Sequence, residues 1–140
     1  MKKIILTYAV LAAVLFSGLY FTSQKTEPEK KTVSVLQTST GNVIKIDPED
    51  FVAGTVSGEM PSDFEPEALK AQAVAARTYL FYKTDGGKKH ENADICDNPA
   101  CCCAFYTKQQ LEDKKGAQWV LDGYEKIKKC VSATKGEILT

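Results

Sequence analysis

Asp47-Pro48-Glu49-Asp50-Phe51-Val52-Ala53-Gly54-Thr55-Val56-Ser57-Gly58-Glu59-Met60-Pro61 is the stretch whose reading decides how this chain folds. Asp47 is a capping side chain, Pro48 suits the first helical position, and Glu49 and Asp50 put acids in the first turn. Phe51, Val52, Thr55 and Val56 recur at helical spacing, and Glu59 continues that stripe. Pro61 disfavours helical backbone at Met60, so the predicted helix stops there. Glu65-Pro66 starts a second helix in the same way, predicted to run to about Tyr82. It has Leu69, Ala73, Ala76 and Leu80 on one side, with Ala68, Ala75, Tyr79 and Tyr82 close to it. So much alanine implies close packing, and Asp85-Gly86-Gly87 is the stop.

Upstream, Thr32-Val33-Ser34-Val35-Leu36-Gln37 and Val43-Ile44-Lys45-Ile46 alternate β-branched residues around the turn residues Thr40-Gly41-Asn42, which predicts a β-hairpin. Downstream, Lys88 to Tyr106 has no period and reads as a polar loop dense in Cys, Asn and Asp. A third helix is expected from Trp119 to Ala133, with Val120, Leu121, Tyr124, Ile127, Cys130 and Val131 as its apolar residues and Gly136 beyond its end. Glu137-Ile138-Leu139-Thr140 reads as the start of a strand. A domain does not usually stop inside an apolar strand, so the chain is expected to be a fragment. The implied class is α+β: a hairpin, three helices and a Cys/His loop.

The 140 residues suit one domain, and Lys+Arg and Asp+Glu balance at 18 each, which leaves no basic footprint for nucleic acid. Met1-Lys2-Lys3 is followed by an uncharged run from Ile4 to Thr22. That is about 28 Å of helix, against a hydrocarbon core of about 30 Å. Its exit, Leu19-Tyr20-Phe21-Thr22-Ser23, lacks the small-residue pattern of a removed signal. The expected organisation is a transmembrane anchor over 1–22, a charged linker over 23–31 and an extracytoplasmic domain over 32–140. Lys2 and Lys3 hold the N-terminus of this single-pass membrane protein in the cytoplasm.

Two places carry chemistry. Glu59 sits where one helix stops and the next is about to start, expected to be half-sheltered by apolar neighbours yet open to a groove. The negative end of the helix dipole and the apolar stripe both favour its protonated form, which suits a proton donor working near neutral pH. Asp63 and Glu65 could offer a second carboxylate, as sugar hydrolases commonly require, although helix capping is the plainer reading. Gln72 and Arg77 are candidate substrate-binding residues; five apart on a helix, they point to different sides. Arg77 is expected to pair with a carboxylate such as Glu59 or to anchor an anionic substrate. Trp119, Tyr79 and Tyr82 could stack on sugar rings, but aromatics at helical spacing usually fill cores.

The second place is the loop. His90, the only histidine, is followed by Cys96 and Cys102 at equal intervals of six, with Cys101 and Cys103 beside the latter. Disulfides are the default outside the membrane, yet five cysteines are an odd number and adjacent ones cannot easily pair. The same set suits tetrahedral Zn²⁺, with three protein ligands and a fourth position for water or another thiolate. Metal and disulfide both stay open on these residues alone. Cys130 falls on the apolar stripe and is expected to be a buried core thiol.

The stretch from Phe51 to Glu59-Met60-Pro61, followed by Ala71-Gln72-Ala73-Val74-Ala75-Ala76-Arg77-Thr78-Tyr79, closely resembles the stage II sporulation protein D family. The likeness extends from about Val33 through Ala133-Thr134-Lys135-Gly136-Glu137-Ile138-Leu139-Thr140. Members are membrane-anchored lytic transglycosylases of peptidoglycan. The resemblance implies that Glu59 is the general acid on the glycosidic oxygen between N-acetylmuramic acid and N-acetylglucosamine. It then serves as the base that deprotonates the sugar's own 6-hydroxyl, closing a 1,6-anhydro ring. One carboxylate suffices because the nucleophile is intramolecular. The implied substrate is glycan stripped of stem peptides, during forespore engulfment, with a cell-wall amidase and sporulation membrane proteins as candidate partners. Clostridial members look most similar, because their corresponding loop carries a His/Cys zinc site. This implies Zn²⁺ on His90, Cys96 and Cys102, with Cys101 or Cys103 as alternatives. Members are about twice this length, so the chain is expected to hold the N-terminal part of the catalytic domain. Two other readings are a non-catalytic glycan-binding module like the amidase-enhancer proteins, and an extracytoplasmic metal-binding protein using only the loop.

Overall fold

A computed structural model describes residues 31–140; the expected anchor, and all of the expected linker except Lys31, lie outside the described residues. Among the described residues no helix is long and apolar enough to cross a membrane.

The hairpin forms as expected. β1 (Val33–Leu36) and β2 (Val43–Ile46) pair antiparallel, with Val33 opposite Ile46 and Leu36 opposite Val43. The turn closes where the Gln37 amide donates to the Asn42 carbonyl at 2.8 Å, with Gly41 supplying a φ of 75°. Alternation along β1 sends Val33 and Val35 into the core. A further strand, β3 (Ile95–Cys96), lies parallel to β1 on its other edge, giving the order β2-β1-β3. The sequence pattern predicts loop for this segment. Two residues are too few to carry a period, and the pairing comes from a partner far back in the chain.

α1 (Pro48–Glu59) begins where read, with the Asp47 side chain accepting from the Glu49 amide at 2.9 Å. The expected one-sided stripe is not what forms. Every residue from Phe51 through Ser57 is buried, so α1 is the central helix, covered all round. Gly54 and Gly58 let the strap Ala104 to Tyr106 lie directly against it. A Cβ at Gly54 would run into the Tyr106 carbonyl oxygen and come within 2.7 Å of the Phe105 ring. That ring stacks on Phe51, centroids 4.9 Å apart.

α2 (Pro66–Thr84) buries Leu69, Ala73, Ala76 and Leu80 as read, while Ala68, Ala75 and Tyr82 are exposed. α3 (Lys108–Lys115) is an addition that the sequence reading missed. Its one buried residue is Leu111, and its start is a capping box in which Thr107 and Gln110 satisfy each other's amides. Beyond Gly116, whose φ is 89°, a rod follows: α4 (Ala117–Trp119), a π turn (Val120–Tyr124) and α5 (Glu125–Ala133). The expected third helix is thus interrupted by a wide turn, and Leu121, assigned to its apolar face, is 65% exposed. Ile127, Cys130 and Val131 are buried, Cys130 as the expected core thiol. α1 and α2 pack on each other and both pack on α5.

The strand predicted over 137–140 does not form; those residues are irregular. Their carbonyl and amide groups bond to α2 instead of a neighbouring strand. Arg77 Nη1 donates to the Glu137 carbonyl at 3.2 Å, and the Leu139 amide donates to Thr78 Oγ1 at 2.9 Å.

Candidate active site and metal centre

Glu59 closes α1. Met60 turns to extended backbone with its amide on the Val56 carbonyl at 2.9 Å, and Pro61 leads the chain away. The short turn to Pro66 brings α2 back, so that Gln72 Nε2 donates to Glu59 Oε2 at 2.5 Å. Two candidates from separate helices therefore meet. The shelter expected for Glu59 is absent, because its side chain is exposed. Apolar residues at helical spacing predict burial only while the helix lies in the core, and α1 leaves the core at Gly58.

Glu59 lines two hollows. One, of about 590 Å³, is bounded by Ser57, Gly58, Met60, Asp63, Lys115 and Trp119. The other, of about 280 Å³, runs from Gln72 past Thr55 and Tyr79 to Cys102 and Cys103. Asp63 shares the larger hollow, whereas Glu65 is the first residue of the α2 cap and makes no side-chain capping bond. Lys115 was not singled out by the sequence. Its ammonium donates to the Ser57 carbonyl at 3.1 Å and sits 4.1 Å from the centre of the Trp119 ring. Desolvation, with the neighbouring Lys114 second, holds its pKa below the ordinary lysine value. It supplies the cation that the last turn of α1 lacks in its own sequence. Ser57 Oγ is buried with no hydrogen-bond partner.

Arg77 goes elsewhere. Its guanidinium grips Glu49 with two bonds of 2.9 and 2.7 Å and reaches the Val131 carbonyl at 3.1 Å. It is 6% exposed, pairs with Glu49 and not Glu59, and lines neither hollow. The helix period had shown Gln72 and Arg77 on different sides; it could not say which carboxylate lay opposite each.

The loop is built from short polar contacts to β1. The Asp94 carboxylate accepts from the Ser34 amide and hydroxyl at 2.9 and 2.6 Å and from Lys88 at 2.7 Å. Burial works against the ionised form of Asp94, but the Lys88 and Ser34 bonds outweigh it and leave its pKa below the ordinary value. Asp97 likewise accepts from the Thr38 amide and hydroxyl at 2.9 and 2.7 Å. These anchors fix Cys96 on β3, and the ligand atoms of His90, Cys96, Cys101 and Cys102 all lie within 4.8 Å of one another. Three thiols and an imidazole are a soft donor set suited to zinc, so the residues present fit the metal. Cys103, one of the alternatives, faces the other way. Its sulfur lies 3.9 Å from Thr55 Oγ1, and burial pushes the thiol up to about 12. All five cysteines are unbridged, against the disulfide alternative.

The sequence model described as "Stage II sporulation protein" matches residues 36–140. Stage II sporulation protein D of Bacillus amyloliquefaciens is 35% identical over 111 residues, 78% of this chain and 32% of the relative. The protein of the same name from Bacillus subtilis (strain 168) is 32% identical over the same coverage. An uncharacterized protein of Brachyspira hyodysenteriae is 62% identical over 34 residues, 24% of this chain and 9% of its own length. The matched segment covers about a third of the length of the two Bacillus relatives. On the family match and these identities, the chain belongs to the stage II sporulation protein D family.

Proposed function

We propose that this chain carries the acid-bearing part of a sporulation-stage peptidoglycan lytic transglycosylase, with Glu59 as general acid and then base. The observation that carries the reading is the junction itself: one carboxylate at the rim of two hollows, with one oxygen held by Gln72. Holding Oε2 leaves the other oxygen to hand a proton to the glycosidic oxygen between N-acetylmuramic acid and N-acetylglucosamine, and then to take the 6-hydroxyl proton. A glycan strand seated in the larger hollow covers the exposed carboxylate and excludes water from it. Trp119 offers a flat face for a sugar ring, and Lys115 a cation for an anionic substituent. The Cys/His cluster holds Zn²⁺, which when bound cross-links the loop to the sheet. The reading includes anchorage in the cell membrane through 1–22 with this domain outside. It also includes preference for stem-peptide-free strands, and a cell-wall amidase and sporulation membrane proteins as partners.

The test incubates the full chain with stem-peptide-free glycan strands and reads products by mass spectrometry. Wild type should release 1,6-anhydro-muramyl ends, and Glu59→Gln should lose about 10²–10⁴ in rate while retaining strands. Undiminished release by Glu59→Gln sinks the assignment. Strand retention without release by wild type supports a non-catalytic, amidase-enhancer-like module instead. The exposure of Glu59 favours that second reading.

A further inference from the structure

We propose that Lys115 is a specificity-determining residue: its ammonium pairs with the lactyl carboxylate of the muramyl ring at the bond to be cut, and so disfavours rings whose carboxylate is tied up in an amide. The inference deepens the reading of Glu59 as the acid of a muramyl-glycan site, and rests on it for the identity of the sugar.

The charges around the larger hollow single Lys115 out. Lys70, Lys88, Lys108 and Lys128 each lie within ion-pair distance of a carboxylate, on Glu67, Asp94, Glu125 and Asp50. Lys115 has no such partner among the described residues. What holds it is neutral: the Ser57 carbonyl at 3.1 Å and the face of Trp119, whose centre is 4.1 Å from the ammonium. Its charge is fixed in place yet not neutralised. Desolvation and the neighbouring Lys114 both work against that charge, and neither Glu59 nor Asp63, the acids on the same hollow, offsets them. An arriving carboxylate supplies the missing counter-charge. The ammonium has three N–H donors and the Ser57 carbonyl takes one, so donors remain for it. Steadying the last turn of α1 would not require a lysine set into the wall of a hollow of about 590 Å³ beside the acid.

The kind of anion follows from the company Lys115 keeps. One cation shares the hollow with two acids, Glu59 and Asp63, so a ligand with a single negative charge suits it and a polyanion does not. A muramyl ring meets that condition. Apart from its lactyl arm the ring is neutral, and the arm hangs from the same ring whose anomeric carbon gives up the glycosidic bond. Glu59 and Lys115 line one hollow, so an acid on the glycosidic oxygen and a cation on the arm can serve one sugar. A stem peptide is joined through an amide at that carboxylate, which removes the charge at the point where Lys115 would meet it. Discrimination then needs no wall that excludes the peptide; it follows from the cation being left without its partner.

The test reads binding, not cleavage. The full chain is titrated with stem-peptide-free glycan strands, carrying either free lactyl carboxylates or the same carboxylates converted to methylamides. Wild type should bind the free-carboxylate strands about five- to tenfold more tightly, and the preference should shrink as salt is raised. Lys115→Met should bind both kinds alike, with the wild-type affinity for methylamide strands, which also checks that the rest of the site is intact. Lys115→Gln serves the same purpose should Lys115→Met not fold, and Lys115→Arg should keep the preference. Lys126→Met removes a like charge that sits on the Phe64 carbonyl and should change nothing. Equal binding of the two strands by wild type, a preference that survives loss of the Lys115 charge, or one lost equally in Lys126→Met overturns the assignment. Release of anhydro ends is followed in parallel. Release absent with the preference intact sinks the Glu59 reading alone, whereas release without any preference sinks only the role of Lys115. A wild type that binds neither strand sinks both.

Discussion

Between Phe51 and Ser57 every residue of α1 is buried, whereas the loop from Lys88 to Tyr106 is tied down by side-chain carboxylates, one two-residue strand and a cluster of thiols. The first region takes its shape from apolar burial, which is collective and tolerant of small rearrangements. The second takes it from single polar contacts, each of which can be removed alone. The two touch where the strap Ala104 to Tyr106 crosses Gly54 and Gly58. An acid at the end of the first region and a Cys/His cluster in the second thus share one packed seam.

Substitutions at three positions would break or sharpen this contrast. Arg77→Ala should have the largest effect, about 3 kcal/mol in urea unfolding, because it strands Glu49 and frees the Val131 and Glu137 carbonyls. Arg77→Lys should recover only part, lacking the two-pronged grip. If hydrogen exchange in the loop rises as much as in the helices, the two regions unfold as one unit and the contrast is lost. Gly54→Ala comes next, at about 2 kcal/mol. Alanine gains up to about 1 kcal/mol in helix propensity, but the new methyl meets backbone at Tyr106 and the Phe105 ring, and overpacking of that kind wins. A neutral outcome in thermal unfolding would mean that the seam is loose.

Asp94→Asn is the smallest of the three, about 1.5 kcal/mol at pH 7, from the loss of bonds to a charged acceptor. The sign of its pH dependence follows from the lowered pKa. The contribution of Asp94 is present above the ordinary value of 3.8 and is lost as pH falls through the depressed folded value. The gap between wild type and variant, measured in chelator at each pH, should therefore narrow below about pH 4. A gap that stays constant to pH 2 would show that Asp94 acts through shape and not charge.

How much of this was legible from the residues depends on where each element finds its partners. The hairpin, α1 and α2 were readable because their signals are local: alternation at Val33 and Val35, the Asp47-Pro48 start, and the proline and glycine stops. β3 was not, since Ile95 and Cys96 become a strand only by pairing with Val35 and Leu36. α3 hid for another reason: Leu111 alone gives no period, although Thr107 and Gln110 did carry a readable capping box. In the site, the sequence singled out Glu59, Gln72, His90, Cys96 and Cys102. It could not place Lys115, which arrives from a separate helix, or assign Arg77 to Glu49. Nor could it choose Cys101 over Cys103, because neighbours in a loop without period point in directions set only by the bend at Asn98.

The π turn at Val120–Tyr124 has a consequence for how one rod meets two demands. A regular helix advances its side chains by about 100° per residue, so one additional residue in a turn slips everything before it by that angle relative to everything after. Ahead of the slip, Trp119 looks onto the hollow beside Glu59; behind it, Ile127, Cys130 and Val131 lock into α1 and α2. The register error is what lets the same rod be a groove wall at one end and a keel at the other.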